Sequence, residues 1–339
     1  MTERAQTDNS QVRPRRYSRL RFLRRMLSTY VLKRGSNVAF WHETPEVNPR
    51  SASGVLGEYY MTFGGKADYK GPFDQDGVPM LDYAGEVGLQ YNPIAVAQYG
   101  LAHWNLFCQN GGADHRSWFL TQADWLVRNL EPNAYGLPVW THHFDWEYRF
   151  VIRAPWDSGL AQGCALSCLA RAAKFTGDER YAHALRQGFR AFLADIHEGG
   201  LCDYQENGDV WVEEAIVHPP SHILNGFLWA LWGLWDYWLF TSDPKGRELF
   251  DRCVATLKRN LRLFDTGSWS LYELSPYRLK MVASPFYHKL HIVQLRATHL
   301  ITGEPVFREY AERWERYRRS WVNRQRNLVY KGLFKVFHY

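Results

Sequence analysis

"GLAQGCALSCLARAAKFTGDERYAHALRQGFRAFLADI", residues Gly159 to Ile196, places two helical patterns of different character end to end. The first, up to Gly177, is apolar nearly all round and suits an inner layer. The second keeps charged residues on one face and suits an outer layer. Gly177-Asp178 marks the turn between them, as Gly303-Glu304 does further on. The same pairing recurs on both sides. "PIAVAQYGLAHWNLFCQN" (93–110) precedes "SWFLTQADWLVRNL" (117–130), and "HILNGFLWALWGLWDYWLF" (222–240) precedes "GRELFDRCVATLKRNLRLF" (246–264). A fourth pair joins "LHIVQLRATHLITG" (290–303) to "VFREYAERWERYRRSW" (306–321). Each first helix is expected to open with an amide, Gln98, Gln162, Asn225 and Gln294, spaced by 64, 63 and 69 residues. A period of that size means stacked helical units.

Each outer helix is followed by a segment of strand character, such as "GLCDYQENGDVWVEEA" (200–215) and "GSWSLYEL" (267–274). The expected fold is therefore mainly α, an (α/α) toroid of paired helices with β-hairpins at one rim and the active cleft at that rim. The toroid is placed at 93–339. Residues 38–92, Gly-rich, aromatic and punctuated by Asp-Gly, read as an N-terminal β-hairpin region. Residues 1–37 read as a basic arm, "RPRRYSRLRFLRRMLSTYVLKRG" (13–35) being its densest part.

The chain of 339 residues is 46% apolar, enough for a sizeable core, and its 15 Trp, 20 Tyr and 19 Phe suit a groove that holds sugars as well as a core. A net charge of +6 favours an anionic partner, and much of the excess sits in the N-terminal arm and in Arg308 to Arg326. No DNA-reading motif appears, so nucleic acid is not expected as a partner. The N-terminal stretch lacks the apolar run of a signal peptide or spanning helix. The reading is a soluble, cytoplasmic protein whose arm offers peripheral contact with the inner face of a membrane. Cys108, Cys164, Cys168, Cys202 and Cys253, odd in number and without a CxxC framework, argue against a disulfide scaffold. Cys164 and Cys168 read as small core residues.

Rim segments supply the chemistry: "GLQYNPI" (88–94), "THHFDWEYRFVIRAPW" (141–156), "DVWVEEAIVHPPS" (209–221) and "GSWSLYELSPYRLKMVASPFYHKLH" (267–291). They contribute Tyr91, His142, His143, Arg149, Arg153, Trp211, Glu213, Glu214, Tyr272, Arg278, Tyr287, His288 and His291. His288 and His291, with the His142-His143 pair, raise a metal site, but neither an H-E-x-x-H pattern nor a Cys cluster supports one, and no metal or cofactor is expected. Ser284-Pro285 resembles a helix start. Glu213 and Glu214 should point in opposite directions on a strand, one to the cleft and one to solvent or an Arg.

Seven ordered segments resemble the D-glucuronyl C5-epimerases acting on heparosan and heparan sulfate precursors: "YNPIAVAQYGLAHWN", "ADWLVRN", "AQGCALSCLARA", "WVEEAIVHPPSHILNGFLWALWGLWD", "LFDTGSWSLYEL", "YHKLHIVQL" and "PVFREYAERWERY". The resemblance runs from about Asp76 to Tyr317. It implies an (α/α) toroid, a homodimer, and inversion of C5 of D-glucuronate within an acidic polysaccharide to give L-iduronate. It also implies catalytic roles for Glu214, Tyr272 and Tyr287. Two departures stand out: Ala215 replaces a Tyr that follows the paired Glu in animal members, and the β-sandwich they insert before "ADWLVRN" is absent.

Epimerisation needs proton transfer on both faces of one sugar ring and positive groups around the adjacent carboxylate. Arg149, Arg153, Arg278, His288, His291 and Asn225 are the expected binders of that carboxylate, with Tyr91 and Trp211 as further substrate contacts. Glu214 is expected to be ionised without help. Two rival readings are a polysaccharide lyase, which removes the same proton but cleaves the chain, and a non-catalytic polyanion-binding protein. A glycoside hydrolase would need carboxyl pairs that only Glu213-Glu214 and Asp145 or Glu147 offer.

Overall fold

The computed structural model describes residues 40–338, apart from 42 and 84; the basic arm expected at 1–37 lies outside the described residues. Helical periodicity becomes four consecutive pairs: α1 (Pro93–Asn110) with α2 (Ala113–Arg128), α3 (Gly159–Thr176) with α4 (Glu179–Phe189), α5 (Leu224–Thr241) with α6 (Pro244–Asn260), and α7 (Pro285–Thr302) with α8 (Pro305–Arg319). A further helix, α9 (Trp321–His338), follows. The first helix of each pair packs against the first of the next, α1 on α3, α3 on α5 and α5 on α7, while each second helix lies outside on its own partner. This is an (α/α) toroid.

The starts follow local chemistry. Asn92 Oδ1 accepts from the Ile94 amide (2.9 Å) ahead of Pro93, Ser158 Oγ accepts from Ala161 (3.3 Å), and Ser284 Oγ accepts from Tyr287 (3.2 Å) ahead of Pro285. Gly177 and Gly303, at φ 70 and 72, end α3 and α7 in the left-handed conformation that favours glycine.

Contacts between inner helices pair residues of increasing depth. Gln98 Nε2 meets Cys164 Sγ (3.6 Å), Arg171 meets Asp236, and Trp232 Nε1 donates to Thr298 Oγ1 (3.0 Å) beyond the contact of Gln294 with Asn225. All four inner helices therefore run parallel, with their N-termini at one end. The closest approach needs glycine: a Cβ on Gly233 would fall 2.3 Å from the Gly163 carbonyl oxygen.

The amides do not mark the helix openings as expected. Measured from Pro93, Gly159, Leu224 and Pro285, they occupy positions 6, 4, 2 and 10. Each buried amide instead pairs with a neighbouring element; Gln162 Nε2 donates to the Gly188 carbonyl (2.7 Å) and Gln294 Nε2 to that of Asn225 (2.9 Å). Bonding partners, not depth, decide where an amide is tolerated in an apolar wall.

The connections from outer to inner helices form the rim. They hold β3 (Glu131–Pro132) with β4 (Pro138–Val139), β5 (Trp146–Glu147) with β6 (Val151–Ile152), and β7 (Cys202–Tyr204) with β8 (Val210–Val212), preceded in the chain by β1 (Met80–Asp82) with β2 (Leu89–Tyr91). After α6 the rim is tied by bridges from Asp265 to Ser270 and from Leu271 to Val282.

That β1–β2 pair is the only named two-stranded sheet in the described part of 38–92. Residues Ser53 to Phe63 are largely irregular and plug the opposite end of the toroid. Trp104 Nε1 donates to the Gly57 carbonyl (2.8 Å), Trp235 Nε1 to that of Ser53 (2.7 Å), and Asn105 Nδ2 to that of Met61 (2.8 Å). Tyr59 and Phe63 stack on Trp229. Beneath them, the fully buried pair Arg171–Asp236 accepts the Tyr60 hydroxyl on Asp236 (2.7 Å), and the guanidinium lies under the rings of Tyr59 and Tyr60. All five cysteines are free, with Cys164 and Cys168 buried as core residues.

Candidate functional site

β8 ends in Val212 and delivers Glu213 and Glu214 to the end where the inner helices begin. The two carboxyls diverge as alternation requires, but neither reaches solvent or an Arg, because both side chains are buried. Glu213 turns into the Ser221-His222 corner. It accepts from the amides of Ser221 (3.3 Å) and His222 (3.1 Å) and from His222 Nδ1 (2.5 Å). His222 takes a left-handed φ of 48 and stacks on Trp211 (ring centroids 4.7 Å apart). The strain at a non-glycine residue is offset by those bonds.

Glu214 turns the other way, onto the N-terminus of α5. Asn225 Nδ2 donates to its Oε2 (3.0 Å), and the Gly226 amide also donates to the carboxyl. Burial pushes the Glu214 carboxyl up to about 8, and these two donors only partly oppose the shift. The expectation that Glu214 is ionised without help is thereby corrected: near neutral pH its burial favours the acid form.

A Cβ on Gly226 would sit 2.4 Å from both the Cβ and Oε2 of Glu214. Gly226→Ala should displace the carboxyl; if Glu214 exchanges protons with a substrate, turnover should fall by about tenfold to a hundredfold, the usual cost of moving a reacting group by about an ångström. Unchanged turnover of the variant would show that this contact does not position Glu214.

Tyr272 joins the same corner: its carbonyl accepts from the Leu224 amide at the start of α5 (3.1 Å). Its ring is buried and meets the ring of Tyr287, in the first turn of α7, edge to face with centroids 4.9 Å apart. Tyr148, Ala215, Val217, Ile223 and Tyr272 form one packed cluster, with Tyr287 against it. Tyr148 thus brings a further phenol to the cluster that holds Ala215.

Other candidates divide by placement. Arg149 is paired with the buried carboxylate of Glu273, one residue after Tyr272, and lies over the rings of Tyr277 and Phe334. Arg153 is exposed and paired with Asp145, and Arg278 is exposed on the same rim as Tyr277. Tyr91 donates to Asp74 Oδ2 (2.8 Å), leans on Trp125 of α2 and immediately precedes the Asn92 cap of α1. Trp211 is buried against Phe227 and Phe264, so it packs the wall and supports His222 and is not open as a sugar platform.

His288 and His291 do not reach the cleft expected for them. His288 stacks on Trp269 (3.8 Å), receives the Ser270 amide on Nδ1 (3.2 Å) and donates from Nε2 to the Trp314 carbonyl (3.0 Å). His291 Nδ1 bonds the Ser270 hydroxyl (3.0 Å). Burial pulls His288 down to about 4 and His291 well below the ordinary range, so both serve neutral as links between α7, α8 and the rim. His142 is likewise buried, stacked on Trp156, and pulled down to about 3 by burial, whereas His143 pairs with Glu131 at the surface. Among the described residues no group of three or more His, Cys, Asp or Glu is arranged to hold a metal ion.

Sequence reasoning passed over His222, Gly226, Tyr148 and Glu273. Glu273 had a visible signal, a carboxyl beside Tyr272. His222 and Gly226 had none, since their roles depend on a turn and a helix entry that only the fold brings to the paired Glu.

Fold and site together define an (α/α)-toroid protein with a carboxyl and two phenols gathered at the N-terminal end of its inner helices. The chain belongs to the family described as D-glucuronyl C5-epimerase C-terminus, whose sequence model matches residues 136–316. It is 31% identical over 218 residues to the D-glucuronyl C5-epimerase of Caenorhabditis elegans, a match covering 60% of this chain and 35% of that protein. An uncharacterized protein of Methanocaldococcus jannaschii is 26% identical over 200 residues, covering 58% of this chain and 63% of that protein. The matches thus span less than two thirds of either relative. Among solved structures, the unsaturated glucuronyl hydrolase of Bacillus sp. GL1 aligns at 14% identity and TM-score 0.43, covering 66% of this chain and 61% of that one. A polysaccharide lyase aligns at 13% identity and TM-score 0.37, covering 83% and 44%.

Proposed function

We propose that this protein is an epimerase that inverts C5 of D-glucuronate residues in a heparosan-type polysaccharide to give L-iduronate. The observation that supports this reading is that Glu214 and the Tyr272 carbonyl both bond the first turn of α5, while the ring of Tyr287, in the first turn of α7, lies against that of Tyr272. Family membership supplies the class of reaction.

The chemistry is a proton exchange with no change of oxidation state. The C5–H bond breaks, its proton passes to a base on one face, and its electron pair moves into the adjacent carboxylate as an enediolate. A proton donated from the other face then re-forms the C–H bond. The intermediate carries an added negative charge beside the carboxylate. The N-terminus of α5, which meets Glu214, supplies roughly half a positive charge beside it, a source of stabilisation independent of Arg149, which already pairs with Glu273.

In this reading the two phenols serve opposite faces, and Glu214 acts as the proton reservoir that sets their ionisation. A group near 8 is well matched to proton transfer at neutral pH. Lowering a Tyr from about 10 to about 7 requires roughly 4 kcal/mol of preferential stabilisation of the phenolate. Nearby helix N-termini and hydrogen-bond donation from the protonated Glu214 carboxyl are the means available. The same reading takes the protein to act as a homodimer on an acidic polymer, without a cofactor.

Proton NMR of heparosan incubated with the protein in heavy water tests it. Deuterium at C5, iduronate signals and unchanged chain length are expected. Shortened chains with ultraviolet-absorbing unsaturated ends would establish lyase chemistry instead, and binding without exchange would leave a polyanion-binding protein.

A further inference from the structure

Helix α9 (Trp321–His338) has two opposed faces. Asn327 and Phe334 are buried against the rest of the protein, the Tyr330 hydroxyl donates to the Lys280 carbonyl (3.0 Å), and Arg149 lies against the Phe334 ring. On the other side Trp321, Val322, Leu328 and Val329 are exposed by 65%, 65%, 53% and 64%. At 3.6 residues per turn these four fall within roughly 120° of the helix circumference, about opposite Asn327 and Phe334. Arg324 and Arg326 are exposed and border this stripe on its two sides. The helix contains no Asp or Glu, and no described acidic side chain pairs with either arginine. None of this is used by the reaction proposed above.

We propose that α9 is an in-plane docking helix for an anionic lipid bilayer. Its four apolar side chains enter the boundary between headgroups and acyl chains, and Arg324 and Arg326 contact the lipid phosphates. An apolar stripe flanked by cations on a helix that does not span is the pattern such surfaces bind; among the described residues no helix is long and apolar enough to cross a membrane. Two alternative occupants fit less well. A second copy apposed through this face would bring Arg324 and Arg326 against their own equivalents. The stripe also offers only on the order of 400 Å² of apolar surface, about half of what each partner gives to a stable interface. The chain's own residues 1–39 carry ten Lys or Arg against two acidic residues, so they share its sign. Because the buried face of α9 contacts the segment holding Lys280 and the Arg149–Glu273 pair, docking would set the catalytic end at a fixed height above the bilayer.

Co-sedimentation of the full chain with vesicles of phosphatidylcholine alone, or with about a third of it replaced by phosphatidylglycerol, tests this at physiological ionic strength. The wild type should partition onto the anionic vesicles. The triple substitution Trp321→Ser, Leu328→Ser and Val329→Ser should reduce that partition at least tenfold, and Arg324→Glu with Arg326→Glu should do the same. In both variants, C5 exchange on soluble polymer should stay unchanged. Equal partition of wild type and variants overturns the proposal. So does loss of a solution dimer in the triple variant with vesicle binding intact, which would assign the stripe to a second copy.

Discussion

Glu214→Gln is expected to cut solvent-deuterium exchange at C5 by about a hundredfold to ten-thousandfold, the range a positioned acid or base contributes, while making the fold more stable at alkaline pH. The two effects share one cause. In the folded protein the carboxyl holds its proton up to about 8, against an ordinary value of 4.5. The folded state therefore binds this proton more tightly than the unfolded chain does. Its contribution to stability is fully present below about 4.5 and is lost as pH rises through about 8. Over that window a buried, uncompensated charge costs on the order of 3–5 kcal/mol as a ceiling. The amide of Gln has no such dependence and keeps an oxygen to accept from Asn225 and Gly226. Thermal melts of the two proteins should coincide near pH 5 and diverge by several degrees near pH 9, with the variant higher. Coincident melts at both pH values would mean that Glu214 ionises freely, and its place in the proton path would lose its physical basis.

Arg171→Met should cost about 3–5 kcal/mol of stability, because it leaves the Asp236 carboxylate buried with only the Tyr60 hydroxyl as partner. More than a pair is lost. Arg171 Nε also donates to the Gly57 carbonyl (3.0 Å), and its guanidinium lies under Tyr59 and Tyr60, so the segment that plugs the toroid loses its anchor. The double variant Arg171→Met with Asp236→Leu removes both charges and should recover most of the loss, since a hydrophobic replacement of a buried pair is often neutral or better. Urea unfolding midpoints of the three variants provide the measurement. A single-variant loss below about 1 kcal/mol would show that ring packing and the bonds from Trp104, Asn105 and Trp235 hold the plug without the ion pair.

The paired helices were legible because an inner helix must be apolar all round and an outer one on a single face, a difference written directly in residues 159–196. Rim hairpins were legible from their strand-like composition. The plug at Ser53 to Phe63 was not, for its carbonyls bond to Trp104, Asn105, Arg171 and Trp235, and side chains distant in sequence leave no local pattern. At the site, Glu214 with Tyr272 and Tyr287 stood out by their rim positions and by the family resemblance. The directions of His288 and His291 were hidden because α7 is surrounded on several sides, so spacing alone does not say which side of it faces the cleft. Ser270, Trp269 and Trp314 claim both rings from positions the sequence does not bring together. Absence of an inserted β-sandwich is equally local: Gly111 and Gly112 alone join α1 to α2.

Proton transfer from two sides is the central claim, and it is tested by following C5 deuterium wash-in for Tyr272→Phe and Tyr287→Phe, starting separately from glucuronate-rich and iduronate-rich polymer. If the phenols serve opposite faces, neither variant inverts C5, and each still exchanges hydrogen in one epimer only, the retained epimer differing between the two. Continued inversion by either variant would contradict the account.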